Sequence, residues 1–329
     1  PVRSFVQEQF ELDDAAAFLK TRMDVCESLM VQSAMIYLNH LNAGDVEYGI
    51  LRTDYELPNY LEAFAFASKR LKESLDSKER DSHLKLLGSF GTAVAQYFFV
   101  TGRFREGIQF VESGIHAHQE LGVYESCASG LAMLGGLYGR MHDLEKCKET
   151  IARLKQLSIE HPSRSVQALA YMNDGLMQLE GGHASEALTQ LHAGVEIYRK
   201  LAEEEKHKTD NEKFNDYHTY VGNMAILLEG IGRALRQLNR SDEAILALEE
   251  AVRLQTEIDD RINIGASLHQ LGNTYADKAD RESAMSNYQR AIEIFFSLGY
   301  AHHLSNSLSE FAELALEEAN SKTLPCASF

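Results

Sequence analysis

Apolar and small residues recur along this chain at steps of three and four. In LHQLGNTYADKADRESAMSNYQRAIE, residues 268–293, Leu268, Leu271, Gly272 and Tyr275 share one helical face, and Ala284, Tyr288 and Ala291 share one face of a second helix. The intervening DKADRE is short and polar, so the segment predicts two antiparallel helices joined by a tight turn. Gly272 and Ala284 are small where the two backbones must approach. A single hairpin cannot bury both of its faces, which predicts that the unit repeats.

It does repeat. Ala244 lies 40 residues before Ala284, and Gly232, Leu248 and Ala251 match Gly272, Tyr288 and Ala291. Ala187 follows Gly175 by the same twelve residues that separate Gly272 from Ala284. Cys147, with Gly135 and Tyr138, and Gly107, with Phe98, continue the register at intervals of 40. Between 187 and 244 the interval is 57, so one segment is longer by 17 residues, and EEEKHKTDNEKFNDYH at 203–218 is the surplus. Gly107 and Cys147 stand in for Ala and stay small, while Gln178 occupies a position where Tyr is expected.

This order of a large residue, Leu-Gly, Tyr, Ala, an aromatic or Leu, and Ala resembles the tetratricopeptide repeat over roughly residues 82–319. The resemblance implies an all-α fold, a right-handed α-solenoid of helical hairpins with a ~40-residue period. A period of 40 in place of about 34 lengthens each helix by nearly a turn. After Gly299, YAHHLSNSLSEFAELALEEA places Leu304, Leu308, Phe311, Ala312 and Ala315 on one face, as a C-terminal capping helix requires. Residues 320–329 lack periodicity and read as a flexible tail.

The N-terminal part does not keep the register. Residues 1–24 read as a segment that links to a preceding domain, and 25–81 as irregular helical repeats. ELPNYLEAFAFA resembles the Glu-x-x-Asn-Leu-x-x-Ala-Leu-x-Trp-Ala signature that opens the tetratricopeptide region of bacterial STAND-type signal-transduction NTPases. The matching residues are Glu56, Asn59, Tyr60, Ala63, Phe64, Phe66 and Ala67, with Tyr60 for Leu and Phe66 for Trp. PVRSFVQEQF likewise resembles the Pro-Leu-Val-Arg tail of that family's winged helix, with one residue missing. On that resemblance the ATPase lies outside this chain, which contains no Gly-x-x-x-x-Gly-Lys-Ser/Thr phosphate loop. A free-standing peptide-binding regulator or adaptor that starts near Pro1 is the alternative.

Composition bounds the partners. With 329 residues, 44% of them hydrophobic, and four Pro, the chain can build a continuous helical core. A net charge of −17 argues against nucleic acid and anionic membranes, both of which reward a basic surface. No apolar run approaches the ~18 residues of a membrane span and no signal-type start is present, so a cytoplasmic location is expected. The four cysteines, at 26, 127, 147 and 326, form no C-x-x-C pair and read as reduced packing thiols. HAH at 116–118 and HH at 302–303 put their imidazoles on different helical faces, so neither a metal nor a cofactor is expected. No nucleophile and base can be paired from the sequence, and the chain is not expected to be an enzyme.

In stacked hairpins the first helix of each pair lines the inner surface. The inner positions carry Met172, Leu176 and Leu179 in one repeat and Glu229, Arg233, Arg236 and Gln237 in the next. Together with Gln96, Arg140, His269, Asn273 and Asp277, the residues Arg233, Arg236 and Gln237 form the candidate ligand surface. Arg forks carboxylates and Asn pairs with peptide groups, so the expected partner is an acidic or backbone-exposing protein or peptide segment. Glu229, four residues before Arg233, offers it an intrahelical ion pair, whereas Arg236 has none at that spacing. As part of a larger ATPase the chain would also take part in self-assembly.

Overall fold

The computed structural model describes residues 46–73, 76–206 and 213–323. Among them every regular element is an α-helix: α1 (Val46–Arg70), α2 (Ser77–Val100), α3 (Phe104–Glu120), α4 (Tyr124–Arg140), α5 (Leu144–Glu160), α6 (Arg164–Glu180), α7 (Ala184–Lys206), α8 (Lys213–Gln237), α9 (Ser241–Glu257), α10 (Arg261–Asp277), α11 (Arg281–Ser297) and α12 (Ala301–Thr323). The expected linker at 1–24 and most of the expected tail lie outside the described residues. The chain divides into two compact units, Tyr48–Gly130 and Leu131 onward, with the boundary inside α4.

In the first unit α2 and α3 form a hairpin over which α1 lies. Phe64 meets Phe110 edge-on at 4.7 Å between ring centroids, and Phe98 stacks on Phe110 at 5.3 Å. Tyr60, Ala63 and Ala67 are buried on the same side of α1. Much of the signature found by sequence at 56–67 is thus the packing face of one helix, with Asn59 exposed and bonded to Glu56 at 2.8 Å.

In the second unit α6 pairs with α7, α8 with α9 and α10 with α11, and each pair packs on the next. Helices of 17 residues and turns of three generate the 40-residue period. The 17-residue surplus lies mainly in helix: α7 has 23 residues and α8 has 25.

The turns share one construction. Each has a middle residue in the left-handed region: Gly102, Gly122, His142, Gly182, Asn239, Asp259, Ala279 and Gly299. The next residue's N–H then reaches back five residues, as when Asp280 donates to the Tyr275 carbonyl at 3.0 Å and Asp143 to that of Tyr138 at 3.0 Å. This double closure satisfies the last carbonyls of one helix while the same residue starts the following one. Asp143, Asp260 and Asp280 accept from the backbone of Lys146, Asn263 and Ser283, capping the new helix. The α5–α6 connection, His161-Pro162-Ser163, is extended instead.

Between paired helices the contact is set by a glycine facing a large side chain. A Cβ on Gly272 would lie 2.5 Å from the Tyr288 ring, one on Gly232 2.5 Å from Leu248, and one on Gly175 2.8 Å from Leu191. At Gly135 the nearest atom, Asn173 Oδ1, is 3.8 Å away, and Ile151 is at 3.9 Å. Ala187, Ala244 and Ala284 are fully buried on the opposing helices. Cys147 takes the equivalent place and its thiol donates to the Gly135 carbonyl at 3.5 Å; Cys127 does the same to Ile115 at 3.6 Å. Burial pushes both thiols up, Cys127 to about 11, which suits packing groups and not nucleophiles.

The end of the stack departs from the sequence expectation. His303, Leu304 and Ser307 face α11 and α10, whereas Leu308 and Ala312, expected on the packed face, are exposed. The helix has rotated to seat the His303 ring 5.2 Å from Phe295 and 4.8 Å from Tyr300.

The seam geometry predicts that Gly272→Ala destabilises the protein by about 1–3 kcal/mol through overpacking. Gly135→Ala, with ordinary contact distances, should be neutral or stabilising by up to ~1 kcal/mol from helix propensity. Chemical denaturation of the two variants checks this, and equal effects would remove the distinction.

Candidate functional site

The first helices of successive hairpins stack side by side: α6 on α8, α8 on α10, and α10 on α12. Their inner positions bring charged and polar groups from distant parts of the sequence together. Arg233 on α8 forms an ion pair with Glu180 at the end of α6. Arg236, one turn further on, reaches forward to Asp277 at the end of α10, with Nε 2.5 Å from Oδ2. Both pairs are partly exposed, so each contributes only about 0–1 kcal/mol to stability.

Glu229 sits one turn before Arg233. Burial pushes its carboxyl above the usual range, and the charges of Arg233 and Arg140 partly offset this. The ion pair that the spacing offered between Glu229 and Arg233 is replaced by the one to Glu180. Geometry accounts for the choice: Glu180 ends its helix with an exposed side chain that turns to meet the guanidinium.

His269 and Asn273 are engaged as well. His269 Nδ1 lies 3.1 Å from Ser307 Oγ and its ring 5.6 Å from that of Tyr288. The Asn273 carbonyl oxygen accepts from the Tyr288 hydroxyl at 2.6 Å, and its amide donates to Gln270 at 3.3 Å. Tyr288 fills the seam and fixes the amide at once. Burial is the chief cause that pushes its hydroxyl further up.

Of the sequence candidates, Arg233 pairs with Glu180, Arg236 with Asp277, and His269 and Asn273 both meet Tyr288. Gln237 is exposed at the end of α8, and Arg140, at the end of α4, is close enough to influence Glu229 and Tyr300 electrostatically. Gln96 lies on α2, but its side chain falls outside the described residues. Met172 and Leu179 are corrected: both are buried in the core with Leu188, Val195, Met224 and Leu228. Glu180 was missed, although it ends its helix as Arg140, Gln237 and Asp277 end theirs. Nothing in the sequence marks Ser307 as a partner of His269.

Among the described residues no group of three His, Cys, Asp or Glu side chains is placed to hold a metal ion, and no helix is long and apolar enough to cross a membrane. These side chains offer hydrogen-bond donors and acceptors along the helix faces.

A pH dependence follows from His269, whose pKa is lowered first by burial and then by the Arg236 charge. A proton therefore binds the unfolded chain more readily than the folded one. Stability is retained above the unfolded value of about 6.5 and falls as pH drops through the folded value. His118, lowered by burial, adds in the same sense. Denaturation midpoints at pH 7.5 and 5.5 should show this loss, smaller in His269→Gln; a gain on acidification would contradict it.

Comparison with known proteins agrees with this architecture. Residues 223–295, which cover α9, α10 and most of α8 and α11, match the tetratricopeptide repeat family. A comparison with curated protein sequences yields no match. Among solved structures, the chain is similar to a Rap protein complexed with Competence and Sporulation Factor, at 13% identity and a TM-score of 0.55, with 91% of this chain and 88% of that one covered. It is also similar to a STAND protein with a tetratricopeptide repeat sensor from Pyrococcus horikoshii, at 15% identity and a TM-score of 0.49; 87% of this chain corresponds to 41% of that one. The fold is a tetratricopeptide-repeat-like α-solenoid.

Proposed function

We propose that the chain is a non-catalytic scaffold that binds a protein or peptide along the inner faces of α6, α8 and α10. The observation that carries this reading is the Glu180–Arg233 and Arg236–Asp277 pairing, which holds two guanidinium groups in fixed orientation on an accessible surface. Because exposed pairs are weak, a ligand carboxylate can replace Glu180 or Asp277 at small cost while the Arg geometry is already set. Favourable binding then comes from two bidentate forks and from the order already present in the neighbouring amides.

The setting of this scaffold is a ligand-sensing region of a STAND-type signalling ATPase. Support comes from the Glu56, Asn59, Tyr60, Ala63, Phe64, Phe66 and Ala67 signature. In that setting, occupancy of the inner face biases the attached ATPase between resting and assembled states through differential affinity.

The test is to pan a displayed library of random peptides on the wild-type protein, on the Arg233→Glu/Arg236→Glu variant and on Arg290→Glu. Acidic sequences should be enriched on wild type and Arg290→Glu and lost on the double variant, with helicity unchanged in all three. Enrichment that survives the double reversal, or disappears equally with Arg290→Glu, places recognition elsewhere.

A further inference from the structure

The exposed stripe on α12 has a specific place in the repeat. Leu308, Phe311 and Ala312 stand 40 residues after Leu268, Leu271 and Gly272, so α12 is by register the first helix of a sixth hairpin. In three other hairpins the position of Leu308 is buried, with Leu131, Leu228 and Leu268 2%, 9% and 1% exposed, and in a fourth Tyr171 is partly buried. Leu308 is 45% exposed, Leu316 63%, and Ala312 is open between them. Among the described elements, those packed on α12 are α11 and α10, on its other side.

The repeat itself states what such a face takes. Every second helix presents a small residue at its fourth position, an aliphatic or aromatic one at its eighth and, in four of five, a small one at its eleventh: Gly107, Val111 and Gly114; Cys147, Ile151 and Leu154; Ala187, Leu191 and Gly194; Ala244, Leu248 and Ala251; Ala284, Tyr288 and Ala291. Tyr, Leu or Ile faces a seam glycine, and where the seam residue is Ala95 its register partner is the smaller Val111, both buried. Ala312 corresponds to Ala95 and therefore calls for a Val-sized side chain. In the second unit, second helices touch the first helix of the following hairpin, and most also that of their own, so among the described helices α12 has a side left for one.

Charge narrows the occupant. Glu310 and Glu313 are exposed beside the stripe, and Glu313 stands 40 residues after Asn273, which accepts a hydrogen bond from the second helix of its own hairpin. A second copy of α12 would bring the same carboxylates into opposition. We propose that the open face of α12 receives, from a different protein, an amphipathic helix with a small, Val-sized and small residue at these three positions and Lys or Arg along its flank. This surface is separate from the inner strip, so either assignment stands or falls without the other.

A labelled synthetic 17-residue helix with Ala, Val and Ala at positions four, eight and eleven and Lys on its flanks is the probe, titrated into the protein by fluorescence anisotropy. It should bind saturably, at least tenfold more tightly than the same residues in scrambled order. Leu308→Gln and the Glu310→Lys/Glu313→Lys pair should each weaken it at least tenfold, and Arg233→Glu/Arg236→Glu should leave it unchanged. Absence of binding, equal binding of the scrambled peptide, or indifference to Leu308→Gln overturns the proposal. Concentration-dependent self-association in sedimentation, abolished by Leu308→Gln, would overturn it in favour of a second copy.

Discussion

The close approach of two helices at one small residue is the constraint on which the rest of the molecule depends. At Gly175, Gly232 and Gly272 the partner side chain lies where a Cβ would be, so a larger residue there would force a shift. Leu191, Leu248 and Tyr288 gain full burial from this. Interiors at native packing density transmit a misfit of even one methyl group to their neighbours, and here the neighbours are the next hairpins in line. Stability in such an array is the sum of repeat and interface contributions, so a single seam disturbs the hairpins on either side.

The turns convert this local packing into a repeating frame. A left-handed middle residue and a backward hydrogen bond end one helix and start the next within three residues, so successive pairs keep the same phase. The phase then decides which side chains of neighbouring first helices meet. Arg233 and Arg236, three residues apart, turn to opposite neighbours, Glu180 and Asp277, because α6 and α10 flank α8 at a constant offset. Tyr288 does two things at once: its ring fills the seam at Gly272 and its hydroxyl donates to Asn273.

Much of the fold was legible in the sequence because the seam leaves a periodic trace. Small residues at 107, 147, 187, 244 and 284 located five hairpins, including the one in which Gln178 replaces Tyr. What periodicity does not carry is the side-chain partner. The Glu180–Arg233 pair spans 53 residues, and nothing local distinguishes it from the Glu229–Arg233 spacing that the sequence suggested. Met172 and Leu179 occupy inner positions by count, yet their aliphatic character wins and they join the core. On α12 the sequence placed Leu304, Leu308, Phe311, Ala312 and Ala315 on one packed face, whereas Leu308 and Ala312 are exposed and no described helix covers them. The signature at 56–67 was read as a family mark, and Tyr60, Ala63 and Ala67 within it prove to be the buried contacts of α1.

The central claim is that seam residues are matched in size at the tight pairs, large against Gly175, Gly232 and Gly272 and smaller against Ala95. A double-mutant cycle at Gly232 and Leu248 tests it most directly, with Leu248→Val reproducing the Ala95–Val111 combination. Unfolding free energies of wild type, Gly232→Ala, Leu248→Val and the double variant give the coupling. The account predicts that the double variant is more stable than the two single effects imply, by on the order of 1 kcal/mol or more. Strict additivity would mean that the two positions do not share one contact, and the size-matched seam would not be what sets the helix pairs.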